Sequence, residues 1–96
     1  MSSVNQLDET LGATATSAGV FIPVNRYGDS APRFNVSVSA VTGTAHLERS
    51  FDGGSTWVNR KDYTAITDEV LEEGEHDTQY RVTTDGASSI TFHLGN

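Results

Sequence analysis

Acidic side chains are concentrated in one stretch of the chain, where their density could support metal chemistry. They lie between Asp62 and Asp77 and comprise Asp62, Asp68, Glu69, Glu72, Glu73, Glu75 and Asp77. Ca²⁺ prefers such oxygen ligands, but the spacing does not match an EF-hand loop. Charge runs are more often solvated surface. We therefore interpret the stretch as a solvated acidic loop that could steer the molecule toward a basic surface.

The other reactive side chains do not have the spacing of a catalytic site. Ser, His and Asp are all present, but there is no Gly-x-Ser-x-Gly elbow and no phosphate-binding loop. His46, His76 and His93 fall at predicted outward or loop positions, and the chain has no cysteine, which argues against a structural zinc site. A paired-carboxylate glycosidase needs a cleft that 96 residues are too few to build. We expect no catalytic residue, no metal site and no cofactor.

The most specific local pattern is a hairpin signal, Ser50-Phe51-Asp52-Gly53-Gly54-Ser55-Thr56-Trp57. An Asp side chain can accept bonds from the N–H groups of its own turn, and Gly can adopt a left-handed conformation. The pattern resembles the Asp-box of sialidases and other β-propellers, where it is a folding device remote from the active site. Propellers contain one copy per blade, whereas this chain contains one in total. We predict a structural hairpin formed by Ser50, Asp52, Gly54, Thr56 and Trp57.

Tyr80 lies in a second recognisable pattern. Leu71-Glu72-Glu73-Gly74 followed by Thr78-Gln79-Tyr80-Arg81-Val82 resembles the region before strand F of fibronectin type III and related sandwiches. The resemblance implies a tyrosine corner, in which the Tyr80 phenol bonds to upstream backbone. Residues 75–77 are an insertion relative to that pattern. The alternative is that Tyr80 is only a core aromatic.

Alternation of apolar and polar residues dominates the chain after residue 20. Phe34, Val36 and Val38 share one face of a predicted strand, and Ile90, Phe92 and Leu94 repeat the pattern near the C-terminus. Val20, Ile22 and Val24 also alternate, and Pro23 among them indicates an edge strand. Two facing sheets are the simplest way to bury such one-sided strands. The predicted fold is an all-β antiparallel β-sandwich over residues 20–96, immunoglobulin- or fibronectin-III-like or a jelly roll, with six to seven short strands.

Two turn signals refine this prediction. Asp85-Gly86 predicts a β-hairpin between the last two strands, because both central positions of such a turn favour positive φ. Thr67 could cap a short turn containing Asp68 and Glu69, with Ile66 and Leu71 as a hydrophobic staple. Gly74 follows soon after, so we expect one helical turn at most.

Residues 1–19 differ from the rest in composition. They are rich in Ser, Thr, Ala and Gly, and their sizeable apolar residues are Val4, Leu7 and Leu11. Such a segment cannot support a core of its own. We predict an N-terminal arm that is flexible or docks on a partner.

Charge and hydropathy exclude several partners. The net charge of −7 offers no positive surface for nucleic acid and would be repelled by an anionic membrane. No apolar run approaches the length of a membrane span, and no signal peptide is visible at the N-terminus. We expect synthesis in the cytoplasm. The hydrophobic content of 35% predicts a sparse core that would gain stability from a partner.

The stretch from Val36 to Leu94 resembles small virion proteins of tailed bacteriophages. The similarity lies in Leu47-Glu48-Arg49-Ser50-Phe51-Asp52-Gly53-Gly54-Ser55-Thr56-Trp57, then Gly74, Thr78-Gln79-Tyr80-Arg81-Val82 and the strand Ile90-Thr91-Phe92. It implies a capsid decoration or cement protein on the outer capsid surface of the virion. Its partners would be the major capsid protein and neighbouring copies of itself, as a homotrimer or homodimer.

Contact residues would be apolar side chains at predicted exposed positions. The candidates are Val4, Leu7, Leu11, Phe21 and Tyr27. Each of them could instead be a core residue, and for Phe21 the two alternatives are equally supported. An alternative function is a tail or fibre module that binds a carbohydrate or a receptor, with Trp57, Tyr27 and Tyr63 stacking on sugar rings. A sialidase-type enzyme is a third hypothesis, and it lacks an evident arginine cluster to hold a carboxylate.

Overall fold

Seven β-strands make up the regular structure of the described residues. The computed structural model describes residues 6–23, 33–74 and 78–96. Its strands are β1 (Gln6–Leu11), β2 (Arg33–Thr42), β3 (Ala45–Ser50), β4 (Val58–Tyr63), β5 (Thr67–Glu72), β6 (Gln79–Thr84) and β7 (Ser89–Gly95). None of the described segments forms a helix that could cross a membrane.

The strands form two antiparallel sheets. One sheet has four strands in the order β1-β7-β2-β5, and the other has three in the order β4-β3-β6. The predicted all-β antiparallel sandwich is therefore confirmed. In an immunoglobulin constant domain the last strand shares a sheet with the strand before it. Here β7 lies instead between β1 and β2, in the opposite sheet from β6.

The core lies between the sheets and is formed by the alternating apolar residues of both inner faces. Phe21, Phe34 and Tyr80 pack together at its centre, with ring centroids 4.8 to 6.4 Å apart. Other buried members are Leu7, Leu11, Val36, Val38, Ala45, Leu47, Tyr63, Val82, Ile90, Phe92 and Leu94. The regular period of two is why the sequence alone located most of this core.

The Asp85-Gly86 turn does not form the predicted hairpin, because β6 and β7 are not paired with each other. Gly86 has a positive φ of 53°, whereas Asp85 does not have a positive φ, so the backbone does not adopt the two-residue hairpin turn.

The chain crosses between the two sheets at residues 85–88, beside the crossing from β2 to β3. The two crossings interlock, since Ser88 Oγ accepts a bond from the Thr44 N–H at 3.1 Å. A Cβ on Gly43 would lie 2.4 Å from that Ser88 oxygen.

The predicted helical turn at Thr67 is also wrong, because Thr67–Glu72 is β5. The segment pairs along its whole length with β2, from Arg33↔Glu72 to Val38↔Thr67. A single helical turn would form few backbone bonds, whereas pairing with β2 satisfies a full ladder. Tertiary pairing therefore overrides the local capping signal.

The described part of the predicted N-terminal arm belongs to the sandwich. Gln6–Leu11 is an edge strand paired with β7, and Leu7 and Leu11 are buried in the core. Residues 15–21 then run along the open edge of β6. Residues 1–5 lie outside the described ranges. The sandwich domain thus begins before residue 20, because two leucines four residues apart are enough to tie this strand to the core.

The predicted edge strand around Pro23 is reduced to a single bridge between Phe21 and Tyr80. The two residues exchange backbone bonds of 2.8 and 2.9 Å. Phe21 points into the core, while Val20 and Ile22, which were predicted to alternate inward, are half-buried. Val24 lies outside the described residues.

Candidate binding surface

The outer face of the four-stranded sheet presents polar side chains, and one row of them crosses all four strands. The central row consists of Asp8 on β1, His93 on β7, Ser37 on β2 and Asp68 on β5, which are register partners in turn. His93 Nδ1 bonds to Asp8, and Ser37 Oγ donates to Asp68 Oδ1 at 3.0 Å. Each polar group thereby has a partner on a neighbouring strand.

This row combines the residue types of a serine hydrolase, but not the bonding that such an enzyme needs. Nucleophilic catalysis requires the serine hydroxyl to give its proton to the imidazole. The Ser37 hydroxyl has one proton, and it donates that proton to Asp68 instead. The arrangement therefore stabilises the surface of the sheet and does not activate Ser37.

The next row contributes hydroxyl groups. Thr10 Oγ1 and Thr91 Oγ1 lie 3.1 Å apart, and Ser39 Oγ donates to the Thr91 carbonyl at 3.4 Å. The pairing of β2 with β7 shifts between Val38 and Ala40, so Ser39 is the extra residue of a β-bulge. Bulges bend a strand and often occur at binding sites.

Two shallow depressions lie over this bulge and share Thr10, Ser39 and Thr91. One has a volume of about 430 Å³ and extends toward Asp8, Ser37 and His93. The other has a volume of about 300 Å³ and extends toward Thr42, Ser89 and Ile66. We call this tract the hydroxyl face and define it as Asp8, Thr10, Ser37, Ser39, Thr42, Ser89, Thr91 and His93. Its many short hydroxyls can donate and accept hydrogen bonds with little loss of side-chain entropy.

One margin of the hydroxyl face is apolar. Ile66 and Val70 are 75% and 57% exposed, although large aliphatic side chains on a small domain are usually covered. Ile66 lines the second depression, and Val70 is the register partner of Asn35 on β2. These two aliphatic side chains lie on either side of Asp68 and offer apolar contact area beside the polar tract.

The described cations are largely neutralised by the chain's own acids. The ion pairs are Arg33–Glu72, Arg49–Glu73, Lys61–Glu69 and Arg81–Glu48, with N···O distances from 2.7 to 3.1 Å. Because the chain has 13 acidic and 6 basic residues, the net charge that it presents to a partner is negative.

The acidic stretch 62–77 is not the solvated loop that the sequence predicts. Its described residues lie mostly on β4 and β5, and Glu73 is only 1% exposed. Glu69 accepts bonds from Lys61 Nζ and from the Tyr63 hydroxyl, each at 2.7 Å. Burial works against ionisation of Glu69, but these bonds outweigh it and lower its pKa. Glu75 and Asp77 lie outside the described residues.

Tyr80 meets a side chain rather than the upstream backbone expected for a tyrosine corner. Its hydroxyl donates to Glu73 Oε1 at 2.5 Å, and Arg49 Nη1 donates to the same oxygen at 3.1 Å. Burial and the bond to Glu73 raise the pKa of Tyr80 to about 12. The ring is fully buried, so Tyr80 is a core aromatic whose hydroxyl also fixes the position of the Glu73 carboxylate.

The predicted hairpin residues lie together between β3 and β4. Asp52 Oδ1 accepts bonds from Ser50 Oγ at 2.7 Å and from the N–H groups of Ser55 and Thr56 at 3.1 and 2.9 Å. Gly54 has a φ of 98°, which is a left-handed conformation. Trp57 Nε1 donates to the Gly54 carbonyl at 3.0 Å. The side chains of Asp52 and Trp57 thus close the turn by bonding to its own backbone.

Of the five predicted contact residues, the three that are described are buried. Leu7 and Leu11 are each 6% exposed, and Phe21 is fully buried. In the folded chain their side chains are part of the core. Val4 and Tyr27 lie outside the described residues.

The aromatic residues of the carbohydrate hypothesis do not form a shared platform. Trp57 has the Arg81 guanidinium 4.3 Å above its ring, and Tyr63 is only 4% exposed. Burial and the Glu69 bond raise the pKa of the Tyr63 phenol. Sugar stacking requires an open ring face, which the buried Tyr63 does not offer and which Arg81 covers on one side of Trp57.

The histidines are bound to carboxylates on the surface. His46 lies between Asp62 and Asp85, with N···O distances of 2.6 and 2.5 Å. The bond to Asp62, followed by that to Asp85, raises the pKa of His46. Within the described ranges no group of three or more His, Asp or Glu side chains is placed to hold a metal ion. His76 lies outside them.

The hydroxyl face was missed by the sequence analysis, although its signal is visible. Ser37 and Ser39 on β2, and Thr91 and His93 on β7, were identified only as the polar halves of alternating strands. Alternation shows that such residues face outward. It does not show which strands are neighbours, and this depends on the position of β7.

Comparisons with known proteins identify no relative. No family model matches the chain, and neither a curated protein nor a solved structure matches it.

Proposed function

We propose that the chain is a non-catalytic structural virion protein of a tailed bacteriophage. It acts as a capsid decoration protein, binding the assembled coat lattice through the hydroxyl face and stabilising it. The main support is that this face is a contiguous, bulged tract of short hydroxyls with exposed Ile66 and Val70 at one margin. The resemblance of residues 36–94 to small phage virion proteins supports the choice of partner.

The chemistry of the hydroxyl face and the charge of the chain favour a protein surface over nucleic acid. Phosphate-rich nucleic acid would be repelled by the negative surplus and would release no counterions. Short hydroxyls suit the backbone groups and polar side chains of another protein, while Ile66 and Val70 supply apolar area. Copies that contact one another on a repeating lattice bind as linked modules, which raises the apparent affinity above that of a single site. Neighbouring copies would contact one another as a homotrimer or homodimer.

The decisive experiment is to look for the chain on particles. Virions encoded by the same genome should contain the protein, and its copy number should stand in a fixed ratio to that of the coat protein. The purified chain should also bind assembled shells in a saturable way and bind unassembled coat subunits much more weakly. Equal affinity for free subunits, or absence from virions, would exclude a decoration role.

A pair of matched variants tests the surface. Thr91→Arg places a long cation in the hydroxyl face, so shell binding should fall at least about tenfold, as expected when a central interface position is blocked. Thr83→Arg makes the same change on the outer face of the three-stranded sheet, on β6, and should leave binding unchanged. Both threonines are half-buried strand residues, so circular dichroism and thermal unfolding would show whether each variant folds. Equal loss in both variants would contradict the assignment of the face.

A further inference from the structure

Within the described ranges, β5 is an edge strand with one backbone edge that pairs with no other strand. It pairs with β2 alone among the described strands, and its register with β2 runs without a shift from Thr67 to Glu72. A strand edge carries backbone N–H and C=O groups that can pair with another chain. Natural proteins usually protect such edges with charged side chains, most often lysine, or with a proline, a bulge or a covering segment. β5 contains neither a lysine nor a proline, and its charges are all acidic, so they disfavour pairing with an acidic strand but not with a basic one.

The two edges of the other sheet are protected. β6 is covered by residues 15–21, through bonds such as Ser17 N–H to the Val82 carbonyl at 2.8 Å. β4 has an extra residue, Arg60, at a register shift opposite β3, and Lys61 follows it. β1, the other edge of the four-stranded sheet, keeps its large apolar side chains buried. β5 differs from all three in combining a regular edge with an exposed aliphatic residue.

The side chains of β5 indicate what could pair with it. Asp68, Val70 and Glu72 are exposed in alternation on the outer face. Glu69 lies on the opposite face of the strand, toward the other sheet. β5 therefore has three acidic residues and no basic residue. In an antiparallel pair of two β5 strands centred on Val70, Asp68 would lie opposite Glu72, and like charges directly opposite each other are destabilising. Pairing with a second copy is therefore disfavoured.

From this geometry we propose that β5 accepts an extended, lysine- or arginine-bearing segment of a partner protein, which pairs antiparallel as a fifth strand of the sheet. Backbone bonds would provide affinity, while a basic residue opposite Asp68 and another opposite Glu72 would set the register. An apolar residue between them would cover Val70. This inference rests on the proposed function for the partner being a protein, and it adds how that partner attaches.

A synthetic peptide tests the proposal directly. The sequence Thr-Lys-Thr-Val-Thr-Lys-Thr places its lysines and valine on one face, opposite Glu72, Val70 and Asp68. Titrated into the ¹⁵N-labelled full chain, it should shift the amide resonances of residues 67–72 more than those of β1 or β4. A peptide in which the third and fifth threonines are proline keeps the charge but loses two N–H donors. It should not bind, because strand pairing needs those donors.

Two exposed valines provide matched variants. Val70→Lys puts a cation opposite the peptide's valine and beside its lysines, so affinity should fall about fivefold. Val58→Lys makes the same change on β4, where the valine is 45% exposed, and should not alter affinity. Absence of shifts on β5, binding of the proline peptide, or equal effects of both variants would each overturn the proposal.

Shell binding separates this inference from the proposed function. If the chain binds shells and Val70→Lys binds them equally well, the edge proposal is wrong and the decoration role remains. If the peptide pairs with β5 but no shell is bound, the decoration role is wrong and the acceptor edge remains.

Discussion

Glu73 has the most buried carboxylate among the described acidic residues. It is 1% exposed and accepts bonds from the Tyr80 hydroxyl and the Arg49 guanidinium. Taking a charge out of water is costly unless hydrogen bonds compensate for it. Loss of one partner should therefore cost more than an ordinary surface hydrogen bond.

We expect Tyr80→Phe to lower the free energy of unfolding by about 2 kcal/mol, because a buried hydrogen bond to a charged group is lost. Tyr63→Phe removes an equivalent bond to Glu69, whose side chain is 24% exposed. Water can partly replace that bond, so the expected loss is about 1 kcal/mol. Urea denaturation of both variants measures the two values.

The critical result is that Tyr80→Phe should lower the free energy of unfolding more than Tyr63→Phe does. If Tyr63→Phe proved the more damaging variant, burial of the carboxylate would not be what sets the cost.

Asp52 should make the hairpin sensitive to acid. The Ser50 hydroxyl and then the Thr56 N–H donate to its carboxylate and lower its pKa to about 2 from an ordinary 3.8. The charged form is thus favoured in the folded hairpin. Its contribution to stability is present above pH 3.8 and is lost as pH falls toward 2. An NMR titration of Asp52, with amide exchange at Ser55 and Thr56, would follow this loss.

Asp52→Ala is the matched variant for that titration. It should show fast exchange at both amides throughout the pH range, with no acid-dependent step. A wild-type midpoint near the ordinary aspartate value would contradict the hydrogen-bonded geometry.

At the scale of strands, β1 shows how a short segment becomes part of the core. Its two leucines occupy the inner face and its polar residues the outer face. We expect Leu11→Ala to cost about 2 to 3 kcal/mol, because it removes buried methylene groups and leaves a cavity. Thermal or urea unfolding measures the change.

Ile66→Ala is the control for β1. Ile66 is 75% exposed, so the expected change is within about 0.5 kcal/mol. If Leu11→Ala were equally mild, β1 would be a loosely docked arm, as the composition of residues 1–19 first indicated.

For the whole molecule, the imbalance of charge should limit stability. The described ion pairs are at contact distance, whereas the surplus acids repel one another over longer distances that salt screens more effectively. A net charge of −7 destabilises the compact state through this self-repulsion. Adding NaCl at pH 7 should therefore raise the melting temperature.

The same salt series at the isoelectric point is the control. Near pH 4.6 the net charge approaches zero, so the rise should largely disappear. A melting temperature that falls with salt at pH 7 would mean that the ion pairs outweigh the repulsion.

Some of this architecture was predictable because it depends on local period. The inward residues of β2, β6 and β7, such as Val36, Val82 and Phe92, alternate with polar residues and are buried as expected. β5 was not recognised as a strand, since its acids and Thr67 match a helix start. Its pairing with β2 depends on a contact between segments far apart in sequence.

The amino-acid sequence by itself determined the fold class, the inward faces of the clearest strands and the turn at Asp52, because each follows from neighbouring residues. Only the tertiary structure decided that β7 lies between β1 and β2, which brings Asp8, His93, Ser37 and Asp68 into one row. It also decided that Glu73 is buried and that β5 has an open edge. Strand order is set by long-range pairing, and a period of two specifies which side of a strand is buried but not which strand lies beside it.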